Sequence, residues 1–198
     1  MNPVRIVQGT ALPLDRSDVD TDQIIPAEWL KRVERTGFGR GLFATWRDDR
    51  NFVLNDERYA GATILVAGPN FGTGSSREHA VWALMDYGFA AVVSPRFGDI
   101  FRNNATKNGL VPVVVPPDIG EALLRAVEAD PGLELTIDVE RRTLSAAGAL
   151  DIECTFPLDD ATRERFIEGL DDIAITLRYA AAIDEYEARR PDWLPTAG

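Results

Sequence analysis

The middle of the chain alternates short apolar runs with longer apolar or amphipathic stretches. The short runs are rich in β-branched residues and predict strands at residues 63–67, 90–94 and 111–115. The longer stretches predict helices at residues 76–87, 99–108 and 118–129. Gly88 and Gly109 are placed to end the first two helices, and Asp118 to cap the start of the third. This alternation predicts an α/β unit with parallel strands, in which Pro112 puts the third strand near a sheet edge or a strand start.

The pattern changes beyond residue 130. Residues 133–139 alternate apolar and polar side chains, which predicts a half-exposed strand that pairs with residues 142–145 and with the run around Cys154. Two helices are predicted to follow, at residues 159–169 and from Asp171 to about Arg190. We therefore expect a single domain over residues 1–198. Its core spans about residues 1–130, and a β-hairpin region with C-terminal helices spans about residues 131–198.

The residues before the first predicted strand follow neither the strand nor the helix pattern. Residues 18–26 are acidic and then apolar, and residues 28–35 are compatible with a helical turn. Residues 36–41 hold three glycines, which is typical of a mobile loop over a cleft. Asp18, Asp20 and Asp22 have metal-like spacing but lack the glycine and final glutamate of a calcium loop. We interpret them as solvated or capping residues, with one of them near the cleft.

Net charge and the lengths of the apolar runs exclude some classes of function. The chain has 198 residues, and 21 basic against 32 acidic side chains give a formal charge of -11. Such a surface repels phosphate backbones, so the sequence argues against nucleic-acid binding. Residues 1–7 lack the basic and apolar regions of a signal peptide, and no apolar run approaches the ~20 residues of a membrane span. We expect a cytoplasmic protein that binds no membrane.

Cysteine and histidine occur once each. Cys154 alone forms no internal disulfide and holds no iron–sulfur cluster, which takes about four thiolates. We interpret it as a packing residue in a strand. His79 alone makes no histidine-rich zinc site, and a hydrogen-bonded structural role is favoured for it over general-base catalysis. We therefore expect this chain to bind no metal or cofactor of its own.

The candidate functional residues lie between the first predicted strand, residues 63–67, and the helix predicted after it. In Asn70–Ala80, glycines permit tight turns and lead to Ser75, Ser76 and Arg77 at the predicted helix start. A cation there opposes the helix dipole, at a cost of about 0.3–1 kcal/mol, unless an anion binds beside it. A simple turn with Arg77 in solvent is the alternative, and anion binding is favoured over it. The stretch fits the phosphate-loop and dinucleotide motifs poorly.

The run Gly72-Thr73-Gly74-Ser75-Ser76-Arg77-Glu78-His79-Ala80 resembles the swivel domain of the aconitase superfamily. More narrowly, the chain is similar to the family of 3-isopropylmalate dehydratase small subunits. Supporting stretches lie at residues 20–26, 38–43, 82–89, 97–104 and 169–173. The resemblance implies the swivelling β/β/α fold of the α/β class, with C-terminal helices. It also implies a large-subunit partner that carries a 4Fe–4S cluster.

In that family the reaction is a reversible dehydration and rehydration that interconverts 2-isopropylmalate and 3-isopropylmalate in leucine biosynthesis. By resemblance, Ser75 is the catalytic base, and Ser76 and Arg77 hold the substrate carboxylate. Trp29, Leu30 and Lys31, in the expected substrate loop 28–41, align with the segment that reads the substrate's variable group.

Two alternatives stay open at this point. Trp29 and Leu30 suit an isopropyl group, whereas a cation such as Lys31 suits a third carboxylate. Homoaconitase-like or citraconate-processing relatives are therefore one alternative. A non-catalytic, anion-binding regulatory module with the same fold is the other.

Overall fold

The computed structural model describes residues 1–31, 36–146, 152–191 and 193. Its strands are β1 (Ile6–Leu14), β2 (Ile64–Ala67), β3 (Ala91–Ser94), β4 (Val111–Val114), β5 (Glu134–Asp138), β6 (Thr143–Ala146) and β7 (Ile152–Thr155). Its helices are α1 (Thr21–Ile24), α2 (Ala44–Arg47), α3 (Glu78–Tyr87), α4 (Asp99–Asn108), α5 (Pro117–Ala129), α6 (Asp160–Glu168), α7 (Asp172–Leu177) and α8 (Ala180–Ala188). Short 3₁₀ helices lie at Ala27–Lys31, Phe38–Gly41, Val53–Asn55 and Glu57–Tyr59. The strands form one sheet in the order β4-β3-β2-β1-β5-β6-β7.

Strand β1, which the sequence analysis did not predict, joins the two halves of the sheet. Its first part, Ile6–Thr10, pairs antiparallel with β5, and its second part, Ala11–Leu14, pairs parallel with β2. Pro13 donates no backbone hydrogen bond, and it lies beyond the last residue that pairs with β5. A proline is therefore tolerated in a strand that is central in the sheet order.

The parallel half confirms the predicted α/β unit. Strands β2 and β3 are buried at every position, and β4 forms the sheet edge, as Pro112 indicated. Gly88 and Gly109 end α3 and α4 as predicted. The prediction that Asp118 caps α5 is wrong, because the helix begins at Pro117, whose fixed φ suits the first helical position.

In the antiparallel half β5 pairs with β6 as predicted. The prediction that the run around Cys154 also pairs with β5 is wrong, because this run is β7, which pairs with β6, and the other neighbour of β5 is β1. Cys154 is half-buried in β7, and burial raises the pKa of its thiol. Asp159 caps α6, and Gly169 ends it with a φ of 68°. The predicted single helix from Asp171 to about Arg190 is wrong: the chain turns at Arg178–Tyr179 and forms α7 and α8.

The glycines of residues 36–41 permit close packing. Phe38–Gly41 is a 3₁₀ helix, and a Cβ on Gly39 would lie 2.8 Å from the backbone nitrogen of Tyr87. The Phe38 amide donates a 2.8 Å hydrogen bond to Asp86, which fixes this segment on α3. Residues 32–35 of the expected substrate loop lie outside the described residues. Within the described ranges, no helix combines the length and apolarity needed to cross a bilayer.

Candidate carboxylate-binding site

The loop that follows β2 has a backbone that glycine makes possible. Gly72 and Gly74 have φ values of 76° and 85°, in the left-handed region that side chains disfavour. Gly72 also packs directly on Phe101, because a Cβ at this position would lie 2.2 Å from the Phe101 Cγ atom. The loop therefore depends on glycine for its turn and for its contact with α4.

The acidic segment, residues 18–22, includes the start of α1 and fixes one side of this loop through hydrogen bonds. The Gly72 amide donates to the Val19 carbonyl at 2.7 Å, and the Thr21 amide donates to the Thr73 carbonyl at 3.0 Å. The Thr21 hydroxyl, buried at 1% exposure, donates a 2.9 Å hydrogen bond to the Ser75 carbonyl. Thr21 therefore positions Ser75, a role that the sequence analysis missed because no local pattern joins residues 54 positions apart.

The segment after β3 fixes the other side of the loop. The Phe71 amide donates to the Arg96 carbonyl at 3.0 Å, and the Gly98 amide donates to the Phe71 carbonyl at 2.9 Å. The buried Ser94 hydroxyl donates to the Gly68 carbonyl at 2.7 Å. With attachments on both sides, the loop is a preorganised platform for the residues that follow it.

Ser75 and Ser76 lie at the surface of this platform. Both are exposed, and α3 begins at Glu78, with Arg77 in the N-cap position. The prediction that the helix begins at Ser76 is therefore wrong by two residues. Because both serines precede the helix, their hydroxyls are presented on a loop, where they are open to a ligand.

Arg77 forms an ion pair with Asp22 through its Nη1 atom. The Arg77 side chain is 17% exposed and that of Asp22 is 52% exposed, so the pair lies at the rim of the site. If Arg77 lay inside the first turn of the helix, its charge would oppose the helix dipole unless an anion were bound beside it. In the structure Arg77 precedes the helix, and Asp22 is the anion beside it.

The three aspartates of the acidic segment have different roles. Asp20 caps α1 by accepting a 2.8 Å hydrogen bond from the Gln23 amide, and Asp18 accepts a 2.7 Å bond from the Asn70 side chain. Asp22 is the one that lies beside Arg77. This agrees with the interpretation that two are capping or solvated and one is near the cleft.

The ion pair leaves Arg77 with donors to spare. A guanidinium has five N–H donors, and in the described part of the chain Arg77 bonds to a side chain only through Nη1. Its remaining donors suit a ligand carboxylate, which two parallel N–H groups bind in a fork. The arrangement can therefore hold one carboxylate of a ligand beside the serine hydroxyls.

His79 packs between aromatic rings at the start of α3. Its ring centroid lies 5.3 Å from that of Phe38 and 4.7 Å from that of Trp82. The Trp82 indole donates a 3.0 Å hydrogen bond to Asn108, whose amide donates a 2.8 Å bond to Glu78. The two ring contacts favour the predicted structural role of His79, which in the described part of the chain rests on ring packing.

The residues expected to read the substrate lie in the 3₁₀ helix Ala27–Lys31. Trp29 is half-buried over Gly41, where a Cβ would lie 2.5 Å from the indole ring. Leu30 is half-buried and Lys31 is exposed. Trp29 therefore packs against the glycine-rich residues 36–41. Ser75 and Arg77 instead contact the acidic segment, Ser75 through Thr21 and Arg77 through Asp22.

Metal ligands are not gathered at this platform. In the described ranges, no group of three or more histidine, cysteine, aspartate or glutamate side chains is arranged to hold a metal ion. The whole sequence has one cysteine, at position 154, in β7. The residues of this chain therefore do not fit an iron–sulfur cluster, which requires about four thiolates.

Two family models match the chain. The aconitase C-terminal domain matches residues 1–118, and the C-terminal domain of the 3-isopropylmalate dehydratase small subunit matches residues 172–197. The chain is 63% identical to a 3-isopropylmalate dehydratase small subunit of Parafrankia sp. (strain EAN1pec), over 99% of both chains. It is 55% identical to that of Rubrobacter xylanophilus, over 98% of both chains. A crystal structure of 3-isopropylmalate dehydratase from Methanocaldococcus jannaschii matches with a TM-score of 0.67 and 28% identity, over 91% of this chain and 99% of that chain.

Proposed function

We propose that this chain, which belongs to the family of 3-isopropylmalate dehydratase small subunits, supplies the carboxylate-binding arginine and the proton-accepting serine of a two-subunit hydro-lyase. The chain has the fold of the aconitase C-terminal domain, a swivelling β/β/α arrangement of the α/β class with C-terminal helices. The reaction is the interconversion of 2-isopropylmalate and 3-isopropylmalate in leucine biosynthesis, in the cytoplasm.

One observation carries this proposal: Arg77, with donors to spare, lies two residues from the exposed hydroxyl of Ser75 on a loop fixed from both sides. A malate derivative has two carboxylates, and a guanidinium at the rim binds one of them. Ser76, beside it, adds a hydroxyl donor for the same carboxylate. The carbon that loses its proton is then held next to Ser75.

Ser75 accepts the carbon-bound proton as the neighbouring carbon–oxygen bond breaks, so the substrate loses one water and becomes an unsaturated diacid. A hydroxyl is a weak base, and it acts only as its alkoxide. Arg77 and the first amides of α3 provide the positive potential that stabilises the alkoxide. Rehydration returns the proton and the hydroxyl to exchanged positions.

The metal of this reaction belongs to the partner. When the large subunit holds its 4Fe–4S cluster, the cluster supplies a Lewis acid for the departing hydroxyl. The serines of this chain are exposed, so a second subunit has access to the substrate that they hold. We therefore expect no dehydratase activity from this chain alone.

Trp29 and Leu30 support an isopropyl substrate. Both are apolar and half-buried, so they offer an alkyl group a nonpolar contact. We propose that Trp29 and Leu30 contact the isopropyl group. Turnover of 2-isopropylmalate should therefore exceed turnover of citraconate or homoaconitate in the same complex.

The test is turnover by the purified chain mixed with its cognate large subunit, whose cluster has been reconstituted. Ser75→Ala should lower kcat by about 10²–10⁴-fold, since it removes the base. Arg77→Ala should raise KM by about 10–100-fold, since it removes a charge-assisted hydrogen bond worth about 1.5–3 kcal/mol. Arg125→Ala is the matched control, because Arg125 also pairs with a carboxylate but lies on α5.

Two results would contradict the proposal. Full turnover by the Ser75→Ala complex would remove Ser75 from the base role. Absence of turnover by the parental complex, with subunits bound and the cluster intact, would instead favour the anion-binding regulatory module.

A further inference from the structure

The C-terminal helices turn their large apolar side chains to solvent. Neither α7 nor α8 buries a residue. Six large apolar side chains of this segment are exposed, and together they are called the C-terminal apolar face: Ile173 (70% exposed), Leu177 (65%), Tyr179 (64%), Ile183 (39%), Tyr186 (66%) and Trp193 (79%). A surface helix ordinarily directs its apolar stripe to the core, and exposed apolar patches mark interaction sites.

Ion pairs attach this segment to the rest of the molecule. Asp172 lies 2.6 Å from Arg165 and 3.4 Å from Lys107, measured between the nearest nitrogen and oxygen atoms. Arg178, between the two helices, contacts Glu164 of α6 at 2.6 Å and also Glu168. Asp172 and Arg178 are thus paired with the body of the protein, whereas the apolar side chains named above are exposed to solvent.

The attachment point of α7 is close to the site. Lys107, which contacts Asp172, is followed by Asn108, whose side chain donates a 2.8 Å hydrogen bond to Glu78. Glu78 is the first residue of α3 and is adjacent to Arg77. A partner that covers the exposed serines therefore also approaches the start of α7.

We propose that the C-terminal apolar face is a docking surface for the metal-bearing large subunit; this inference rests on the proposed function. The small-subunit family model covers residues 172–197, the segment that carries the face, whereas the aconitase domain model covers residues 1–118. A subunit separate from its metal-bearing partner needs a surface for noncovalent assembly. The large subunit is the occupant rather than a second copy, because the adjacent site needs the partner's metal.

The experiment uses the full chain and the purified cognate large subunit. Leu177→Gln and Tyr186→Gln, single and combined, replace apolar side chains by one that keeps helix propensity. Ile6→Gln is the matched control, because Ile6 is 59% exposed but lies on β1. Affinity is measured by titration calorimetry and by the dependence of turnover on small-subunit concentration. Sedimentation of the isolated chain detects self-association.

We expect each single variant to weaken binding about tenfold and the double variant about a hundredfold, with Ile6→Gln within about twofold of parental. Circular dichroism and thermal unfolding of the variants should match the parental chain. At saturating small subunit the double variant should reach the parental kcat.

Parental affinity of the double variant would overturn the inference. So would a parental chain that self-associates through this face, if the double variant abolishes self-association and leaves large-subunit affinity unchanged. A parental complex that forms but does not dehydrate 2-isopropylmalate contradicts the proposed function, while the affinities still test the docking surface.

Discussion

Replacement of Gly72 by alanine tests whether the serine-bearing loop is a rigid platform. Gly72 has a φ of 76°, and a Cβ there would lie 2.2 Å from the Phe101 Cγ atom, where about 3.5–4.0 Å is ordinary contact. Phe101 is 2% exposed and packs against Phe71 at a centroid distance of 5.3 Å. The ring is therefore enclosed, and the loop must move to accommodate a methyl group.

The cost has two parts, and a second glycine separates them. A left-handed backbone costs a residue with a Cβ about 1–2 kcal/mol, and overpacking a core costs about 1–3 kcal/mol. Gly61 has a similar φ of 82°, but nothing lies within 4 Å of its Cβ position. Gly61→Ala should therefore lose only the first part. The difference between the two variants should be about 1–3 kcal/mol, or about 2–12 °C in Tm for a chain of this size.

Urea unfolding followed by tryptophan fluorescence measures the stability difference, and turnover with the large subunit measures its functional consequence. Gly72→Ala should lower kcat/KM, because displacement of the loop moves Ser75 and Arg77 together. Gly61→Ala should retain parental kcat/KM. Stabilities within about 0.5 kcal/mol of each other, together with parental turnover by Gly72→Ala, would refute a rigid platform.

Two further predictions concern single hydrogen-bonding groups. Thr21→Val keeps the shape of the side chain but removes its hydrogen bond to the Ser75 carbonyl. We expect the free energy of unfolding to fall by about 1 kcal/mol. We also expect a lower kcat with little change in KM, because Ser75 is no longer held in place. An unchanged kcat would show that Ser75 does not depend on this contact. Asp159→Ala should cost about 1 kcal/mol near pH 7, because Asp159 accepts hydrogen bonds from the Thr162 hydroxyl and amide. Hydrogen bonds from the Thr162 hydroxyl and amide lower the pKa of the Asp159 carboxyl. The contribution of Asp159 to the free energy of unfolding is therefore present above the unfolded-state pKa and is lost as the pH falls through the folded-state pKa. Urea titrations at several pH values should show that the stability difference between Asp159→Ala and the parental chain shrinks in acid.

The parallel half of the fold was predictable because its elements carry strong local signals. The buried runs of β2 and β3 and the glycines that end α3 and α4 each determine structure over a few residues. Strand β1 lacked such a signal, because Gly9 and Pro13 interrupt its apolar pattern. Its place in the sheet follows from pairing with β2 and β5, both distant in sequence.

The prediction of one continuous C-terminal helix failed for a related reason. Residues 171–190 have helical composition throughout, and nothing in that composition requires a turn at Arg178. The structure places Arg178 against Glu164 and Glu168 of α6, so tertiary ion pairs accompany the break. Local helix propensity therefore explains why residues 171–190 are largely helical. The break between α7 and α8 coincides with the ion pairs of Arg178 to α6, which the local sequence does not indicate.

At the site, local reasoning identified Arg77 but not its partner. A cation near a helix start indicated a nearby anion, and that anion in the isolated chain is Asp22, 55 positions away in sequence. A substrate carboxylate bound there, as we propose, would share the guanidinium with Asp22. We therefore expect low affinity for a monocarboxylate, and higher affinity for a ligand that also contacts the serines and, in the proposed complex, the partner's metal. We thus expect the ion pair to orient Arg77, the isolated subunit to bind carboxylates weakly, and the proposed assembly to supply the rest of the affinity.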